Sequence, residues 1–373
     1  MPPQTSPKDH PELEIGNATV GRGERRDVDV RVSESAAGRP VDLPIHVWRG
    51  QSPGPVVAVT GTVHGDEING MGAVRKLILE PDFEVRAGTL ILVPVINLLG
   101  FERATRYMPD RRDLNRAFPG SPGGSLSSRY AHAVFNRIIL RADYLVDLHS
   151  AAQKRTNFPN VRARLSHPET ARLAELFGSE LIVNGKGPEG SLRRASIEAG
   201  LAAIILEAGE PWKFEPTVSE YACRGVASVL AGLGMTGERP HTPLFQAKSS
   251  ETTWIRAPHG GVLRFHVGPG DDVDEGQPVA TVTTILGRDI GSIEAPHDGV
   301  VLGMTTLPTV VPGDPVAHLA LIDGGIEPIR RARRRSRGET LDERLRDDLA
   351  TNMVLVDPDA DPGADPNQEG TGI

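Results

Sequence analysis

The sequence has a single cysteine, no long apolar run and no excess of basic residues. Cys223 is the only cysteine in 373 residues, so no disulfide can form within the chain, which fits a reducing cytoplasm. No apolar run approaches the roughly 20 residues of a membrane-spanning helix, and the N-terminus lacks the basic start and apolar stretch of a signal peptide. The net charge of −8 argues against nucleic-acid binding, which usually needs a basic surface. These absences predict a cytoplasmic protein.

The chain is long enough for one large domain and a smaller one. Its polar, proline-rich start and its charged end, which is rich in proline and glycine, cannot bury a core. Changes in composition therefore predict a disordered N-terminus over 1–13, a large domain over 14–242, a smaller β domain over 243–325, and a charged, largely disordered tail over 326–373.

Within the large domain, short apolar runs alternate with segments of helical periodicity. The predicted strands are 56–61, 89–96, 144–150 and 202–210. The predicted helices are 70–80, 126–141 and 167–178. Apolar strands that alternate with helices predict an α/β fold, in which helices cover both faces of a mixed sheet.

The smaller domain shows turn-bounded short strands and a faint internal repeat. Segments 257–282 and 295–320 both contain A-P-H-x-G-V and later P-G-D and P-V-A, which predicts a small β-barrel or sandwich built by duplication. The pattern resembles the flattened barrels of biotinyl and lipoyl carrier domains. Those carriers have a lysine at an exposed hairpin tip, whereas the corresponding turn here, TTILGRDIGS, has none. A carrier function is therefore not expected.

Three residues at predicted strand ends form a candidate metal site. His64 and Glu67 lie in the glycine-flanked loop GTVHGDEING, and His149 ends the strand YLVDLHS. Each alone is more often an ordinary surface or buried residue. The three should meet at one edge of the sheet, because ligands bind at the carboxyl ends of strands in open α/β sheets. Two imidazoles and one carboxylate, with a position left for water, form the ligand pattern of zinc peptidases.

Two further segments suggest recognition and proton transfer. The loop RYMPDRRDLNRAFPG offers Arg116 as a bidentate partner for a carboxylate, with Asn115 assisting, although a solvated basic loop is an equally good interpretation. Glu207 ends an apolar strand, where limited hydration suits a general acid or base. Its competitor Glu210 lies further beyond the strand, and an ordinary surface or capping glutamate is the alternative.

Together, these residues resemble the succinylglutamate desuccinylase/aspartoacylase family, relatives of the zinc carboxypeptidases. The resemblance covers roughly residues 55–322 and depends on the ordered set H-G-D-E, D-L-N-R, D-L-H and L-E-A-G. It implies a zinc-carboxypeptidase-like sheet flanked by helices, one zinc ion per chain, and a catalytic zinc hydrolase domain over 14–242. His64, Glu67 and His149 match the family's zinc ligands.

The resemblance also implies roles for other residues. Asp113 matches an acid that orients a ligand histidine, Asn115 and Arg116 match the pair that binds the substrate carboxylate, and Glu207 matches the general acid/base. Arg106 matches the arginine that stabilises the oxyanion.

Two assignments stay open at this point. The spacing also allows Arg112 to be the oxyanion residue. The segment SLRR lies where relatives place another substrate-binding arginine, and the pattern does not decide between Arg193 and Arg194.

The predicted activity is hydrolysis of the amide bond of a small N-acyl amino acid, which releases a carboxylate and a free amine. A metallocarboxypeptidase or amidase that acts on a small peptide would use the same residues, and an inactive binding module of the same fold is a third alternative. The sequence identifies neither the acyl group nor the amino acid, and it leaves a homo-oligomer open.

Overall fold

The computed structural model describes residue 6, residues 8–335 and residues 340–350. Its helices are α1 (Asn69–Leu79), α2 (Leu98–Phe101), α3 (Leu126–Arg137), α4 (Pro168–Phe177), α5 (Leu192–Glu198), α6 (Pro216–Gly232), α7 (Glu327–Arg333) and α8 (Leu341–Ala350), with 3-10 turns at Leu114–Arg116 and Ile139–Arg141. Its strands are β1 (Leu13–Ile15), β2 (Ala18–Val20), β3 (Arg25–Glu34), β4 (Pro40–Arg49), β5 (Ser52–Gly61), β6 (Ala87–Val93), β7 (Tyr144–His149), β8 (Arg155–Ala163), β9 (Leu181–Asn184), β10 (Ala202–Gly209), β11 (Ala247–Ser249), β12 (Glu251–Arg256), β13 (Gly261–Phe265), β14 (Asp272–Val273), β15 (Pro278–Thr283), β16 (Asp289–Glu294), β17 (Gly299–Thr305), β18 (Thr309–Val310) and β19 (Pro315–Leu321).

A large mixed sheet runs through the molecule in the order β12-β19-β17-β8-β10-β7-β5-β6-β4-β3. Its centre is parallel, because β6, β5, β7 and β10 pair side by side in the same direction. These central strands are apolar and buried along most of their length, as expected when helices cover both faces. The predicted mixed α/β fold with a large central sheet is confirmed, and the carboxyl ends of its parallel strands share one edge.

The core lies on both faces of this sheet. Because successive side chains of a strand point to opposite faces, Val57 and Val59 of β5 join the cluster that packs against α1, α4 and α6. Val56 and Ala58 join the cluster that contains α3 and α5. The sheet and the helices on its two faces therefore form three layers. This packing holds in place the edge of the sheet where the predicted site residues lie.

The C-terminal region is all-β between 247 and 321 and contains a second sheet. Its strands form two equivalent sets, β16-β15-β13-β18 and β12-β19-β17-β14, and the second set belongs to the large sheet. Each set takes two strands from β12–β15 and two from β16–β19, which is the arrangement expected from the internal repeat. An apolar cluster that includes Phe265, Val282 and Leu319 joins the two sets. Because β17 also pairs with β8, this region continues the central sheet.

The expected disorder at the two ends does not hold for every residue. Asp9 is buried and accepts hydrogen bonds from Arg49 Nη2 and from the Gly54 amide, both at 2.9 Å. In the tail, α8 buries Leu345 and Leu349 against the core. A few apolar side chains and one buried ion pair are sufficient to order these segments. Of these two ranges, residues 1–5, 7, 336–339 and 351–373 lie outside those that the structure describes. Among the described helices, none is long and apolar enough to cross a membrane.

Candidate active site

The predicted site residues lie at one edge of the sheet, at the ends of three neighbouring parallel strands. β5 ends at Gly61, immediately before the loop with His64 and Glu67, and β7 ends at His149. Glu207 of β10 is the direct register partner of His149. The fold therefore brings together residues that are distant in the sequence, such as His64 and Glu207.

The loop that follows β5 is shaped by its backbone. Thr62 has a positive φ of 55°, and its hydroxyl donates to the carbonyl of Glu67 at 3.2 Å. A Cβ atom at Gly65 would lie 2.1 Å from the carbonyl carbon of Gly100, so a larger residue would displace that backbone. The loop closes further when the Glu67 amide donates to the His64 carbonyl at 3.1 Å.

His64, Glu67 and His149 form a compact buried cluster. Nδ1 of His64 lies 2.6 Å from Oε1 of Glu67, and Nδ1 of His149 lies 2.9 Å from Oε2 of the same carboxylate. One ligand atom from each residue lies within 4.8 Å of the others. The cluster could therefore hold a metal ion through two imidazole nitrogens and one carboxylate oxygen.

A carboxylate faces the outer nitrogen of each histidine. Asp113 Oδ1 lies 3.3 Å from Nε2 of His64, the position that the sequence predicted for an orienting acid. Asp147 Oδ2 lies 2.9 Å from Nε2 of His149 and was not predicted. Its other oxygen accepts a hydrogen bond from Thr60 at 2.7 Å. The sequence motif D-L-H could have predicted this contact, because residues two apart on a strand point to the same face of the sheet.

The cluster has an excess of negative charge. Burial alone raises the pKa of Glu67, but the adjacent His64 and His149 lower it, and the net pKa is below the usual value. Burial lowers the pKa of His149, but Asp147 and Glu67 outweigh it and raise the net pKa well above the ordinary value. The surrounding carboxylates therefore favour either protonated imidazoles or a metal cation bound in place of the imidazole protons.

The donor set fits a divalent cation. Within the described ranges, neither ring nitrogen of His64 makes an aligned hydrogen bond, although only 3% of the residue is exposed. Buried polar atoms normally have partners, so these nitrogens are suited to a ligand. Imidazole nitrogen and carboxylate oxygen suit transition-metal ions, zinc among them.

Glu207 occupies the cavity next to the cluster. Its Oε2 accepts a hydrogen bond from Asn157 Nδ2 at 3.0 Å, and its Oε1 lies 3.7 Å from Nε of Arg162. The side chain retains 16% exposure, so it can meet a ligand. The competitor Glu210 instead pairs with Lys213 at 3.0 Å and does not line the cavity.

The structure separates the two candidates for the oxyanion arginine. Arg106 donates to Glu67 Oε1 at 2.9 Å and to Asp113 Oδ2 at 3.2 Å, which places its guanidinium at the cluster. Arg112 has an exposed side chain, lies 4.0 Å from Asp110, and does not line the cavity. Of these two arginines, Arg106 is the one placed to contact a ligand held at the cluster.

The loop of Asn115 and Arg116 borders the same cavity. Asn115 is buried, and its Oδ1 accepts a hydrogen bond from the Leu192 amide at 2.8 Å, which ties this loop to the start of α5. Arg116 lies at the exposed mouth, and its Nη1 donates to the Asn115 carbonyl at 2.7 Å.

The segment before Glu207 supplies one arginine to the cavity. Arg193 is only 4% exposed, and its Nε and Nη1 have no hydrogen-bond partner in the part of the chain that the structure describes. Burial and the neighbouring Arg162 lower its pKa to about 10. Arg194 points to another side of α5 and pairs with Glu198 at 2.8 Å. The helix therefore places Arg193, and not Arg194, in the lining of the cavity.

A cavity of about 300 Å³ is lined by the predicted metal ligands and by Arg106, Asn115, Arg116, Arg193 and Glu207, but not by Asp113 or Asp147. Its remaining wall was not predicted and includes Arg155, Asn157 and Arg162 of β8, Trp254 of β12, and His318 of β19. The sequence held little signal for these residues, because strand pairing between distant segments creates their proximity. A larger cavity of about 510 Å³ between α1, α6 and α8 contains none of the predicted site residues.

The fold and the cluster define a hydrolase-like α/β protein with a candidate His-Glu-His metal centre. Residues 53–233 match the model of the succinylglutamate desuccinylase/aspartoacylase catalytic domain, so this domain carries the family likeness predicted from the sequence. The expected family is therefore confirmed.

Individual relatives agree with this assignment. The N-alpha-acetyl-L-2,4-diaminobutyric acid deacetylase of Halomonas elongata is 27% identical over 301 residues, which cover 77% of this chain and 87% of that protein. The crystal structure of a succinylglutamate desuccinylase/aspartoacylase from Rhodobacter sphaeroides has a TM-score of 0.70 at 27% identity and covers 80% and 95% of the two chains. The product-bound ectoine utilization protein EutE (DoeB) of Ruegeria pomeroyi has the same fold, with a TM-score of 0.70, 23% identity, and coverage of 83% and 98%.

Proposed function

We propose that this protein is a zinc-dependent deacylase that hydrolyses the amide bond of a small N-acyl amino acid. The observation that carries the proposal is the strand register that sets Glu207 opposite His149, beside the cluster of His64 and Glu67. One zinc ion per chain would be held by these two histidines and Glu67. When bound, zinc supplies Lewis acidity and makes water more acidic.

The residues around the cluster would divide the remaining chemistry. Glu207 accepts a proton from the attacking water, whose oxygen forms the new bond to the amide carbon. As the carbon–nitrogen bond breaks, Glu207 returns the proton to the departing amine. Arg106 donates to the oxyanion that develops on the carbonyl oxygen. Asp113 and Asp147 keep the two imidazoles in a fixed orientation.

The substrate carboxylate would bind at the arginines beside α5. Arg193 is buried and has free donors, so a carboxylate would satisfy nitrogens that otherwise lack partners. Arg116 at the mouth and the loop of Asn115 complete this binding region. Two fixed contacts on one carboxylate orient the amide relative to Glu207.

The size of the cavity favours a small substrate over a peptide. A volume of about 300 Å³ lies at the lower end of typical small-molecule pockets. Trp254 and His318 close one side of it. The relatives named as an acetyl-diaminobutyrate deacetylase and a succinylglutamate desuccinylase also support a deacylase.

A substrate panel tests this proposal. Zinc-loaded protein should release amine from members of a set of N-acetyl-, N-formyl- and N-succinyl-amino acids and should leave C-terminal dipeptides intact. Cleavage of dipeptides alone would instead support a metallocarboxypeptidase. Protein that takes up no divalent metal, and cleaves nothing, would support an inactive binding module.

A further inference from the structure

The chain leaves the central sheet directly after Glu207, through a turn at residues 208–210. The pairing of β10 with β8 shifts register between Glu207 and Gly209, so the regular ladder with β8 is interrupted there. Gly209 has a φ of 73°, a left-handed conformation that favours glycine. Its register partner is Asn157, whose side chain donates to the Glu207 carboxylate. The position of this turn therefore affects both Glu207 and its hydrogen-bond donor.

Glu215 and Asn69 hold the turn by its main chain. The Glu215 carboxylate accepts a hydrogen bond from the Glu210 amide at 2.8 Å, and Asn69 Nδ2 donates to the Glu210 carbonyl at 3.1 Å. The Ala151 amide donates to the Gly209 carbonyl at 3.0 Å. Both main-chain groups of Glu210 are thus bonded to side chains at the starts of α6 and α1.

The two side chains also bind each other. Asn69 Nδ2 donates to Glu215 Oε2 at 2.7 Å, and Asn69 Oδ1 accepts a hydrogen bond from the Glu215 amide at 2.8 Å. A Cβ atom at Gly209 would lie 2.2 Å from Glu215 Oε2 and 2.8 Å from Asn69 Nδ2. The glycine therefore lets this pair pack directly against the main chain of the turn.

Asn69 also connects the turn to the metal ligands. It is the first residue of α1 and lies shortly after Glu67 in the chain, and its Nδ2 donates to Ser150 Oγ at 3.3 Å. Ser150 follows His149, and its amide donates to Glu67 Oε2 at 3.2 Å. Asn69 is thus bonded to the segments that follow His149 and Glu207, and it lies on the segment that follows Glu67.

Capping of α6 does not explain the direction of the Glu215 side chain. Glu215 is the N-cap residue of α6, a position whose side chain often accepts a hydrogen bond from an amide in the first turn of the helix. In the described helix, this side chain makes no such bond. Its carboxylate is turned instead toward Glu210 and Asn69, which favours a role in holding the turn.

We propose that Asn69 and Glu215 are positioning residues that fix the direction of the Glu207 carboxylate relative to the metal ligands. This inference rests on the proposed deacylase function, in which Glu207 accepts the proton of the attacking water. Proton transfer needs the two groups within hydrogen-bond reach, and a misplacement of about 1 Å can lower a rate by about 100-fold. Asn69 and Glu215 do not line the cavity, so they act through Glu207 and not on the substrate.

Substitutions in the pair test the inference by turnover. Glu215→Ala removes the acceptor of the Glu210 amide, so kcat should fall by about 10- to 100-fold, while KM and zinc content stay close to those of the parent. Asn69→Asp should have a similar effect, because it replaces a donor with a carboxylate that faces Glu215. Glu215→Gln keeps an acceptor oxygen and should retain most of kcat.

Glu220→Ala is the matched control. It removes another carboxylate of α6, one that lies 3.9 Å from Lys76 and does not reach the turn, and it should leave kcat unchanged. An unchanged kcat in Glu215→Ala, or an equal fall in Glu220→Ala, would overturn the inference.

A double-variant cycle distinguishes positioning from a general loss of structure. If Glu215 acts through Glu207, Glu215→Ala should change kcat by less than about 3-fold in the Glu207→Gln background, whereas independent structural damage would lower kcat by the same factor in both backgrounds. Equal factors would overturn the inference. If Glu215→Ala does not fold, Asn69→Asp carries the same cycle.

A structural measurement separates the inference from the proposed function. In crystals of the zinc-loaded protein, Glu215→Ala should displace the Glu207 carboxylate by about 1 Å, while His64, Glu67 and His149 keep their positions. This displacement in a protein that hydrolyses no N-acyl amino acid would refute the deacylase and retain the positioning role. Normal turnover in the variant, with Glu207 in its parental position, would do the reverse.

Discussion

The two sides of the cavity differ in how their buried charges are balanced. On the metal side, formed by His64, Glu67, His149 and their neighbours, each imidazole lies between carboxylates. On the arginine side, formed by Arg116, Arg155, Arg162 and Arg193, two buried donors of Arg193 lack partners in the described chain. One side therefore favours a cation and the other an anion, so in the proposed deacylase the substrate amide would lie at the metal and its carboxylate away from it.

Removal of a metal ligand should have the largest effect. His149→Ala takes away one of three ligands, so zinc affinity should fall by more than the roughly 10- to 100-fold loss seen for an outer hydrogen-bond partner. Metal analysis after dialysis against a weak chelator measures this. His132→Ala is the control, since His132 contacts Asn136 on α3, away from the cluster. Full zinc retention by the His149 variant would mean that His149 is not a zinc ligand.

Loss of Glu207 should separate catalysis from metal binding. Glu207→Gln keeps the size and most hydrogen bonds of the side chain but cannot accept the proton, so kcat should fall by about 100- to 10,000-fold. Zinc content should stay unchanged. Glu210→Gln, which weakens a pairing with Lys213 outside the cavity, should keep near-normal activity. If the Glu207 variant remains active, another group moves the proton.

Arg193 tests the arginine side directly. Arg193→Gln should lower kcat/KM by about 10- to 100-fold, because one charge-assisted contact with the substrate carboxylate is lost. Since the guanidinium is buried without an ion pair, the ligand-free variant should be at least as stable as the parent in urea unfolding. Arg194→Gln provides a matched control on the helix surface. An equal kinetic effect in both variants would contradict the assignment.

Glu180 tests the cost of a buried carboxylate away from the cavity, and its effect should be on stability and not on turnover. Burial, reinforced by Asp342, raises the pKa of Glu180 to about 7. The folded protein then holds this proton more tightly than the unfolded chain, so its contribution to the free energy of unfolding decreases as pH rises from about 4.5 to 7, by up to about 3 kcal/mol.

The difference in the free energy of unfolding between the parent and Glu180→Gln isolates the contribution of Glu180 from those of other titrating groups. Urea unfolding at pH 5 and pH 8 should show a smaller loss of stability with rising pH in the variant. Glu175→Gln, which removes an exposed pair with Lys248, should behave like the parent. Parallel curves for the parent and the Glu180 variant would show that the buried carboxylate is accommodated at no cost.

The features predicted from the sequence are those encoded locally. Apolar runs located the parallel strands, and the loop after β5 could be placed because its ligands lie three residues apart. The outer partner Asp147 was also local but was overlooked within D-L-H. The strands β3 and β4 were not predicted either, although RRDVDVRVSE has a clear alternation of polar and apolar residues.

The rest depended on contacts between distant segments. Arg193 and Arg194 are neighbours in sequence, and only their positions around α5 make one buried and the other partly exposed. Trp254 and His318 reach the cavity because β12 and β19 continue the sheet from β8 through β17. No pattern in 251–322 specifies that pairing, so the arginine side of the cavity could not be assembled from the sequence alone.

The pairing of β17 with β8 also restricts how the molecule can move. Gly303, Met304 and Thr305 form a ladder with residues 155–157, so the C-terminal region cannot swing away as a hinged lid unless main-chain hydrogen bonds break. Substrate and product must then pass through an entrance whose shape is set by folding. For the proposed deacylase, this pairing predicts that opening of the C-terminal region is not a separate kinetic step.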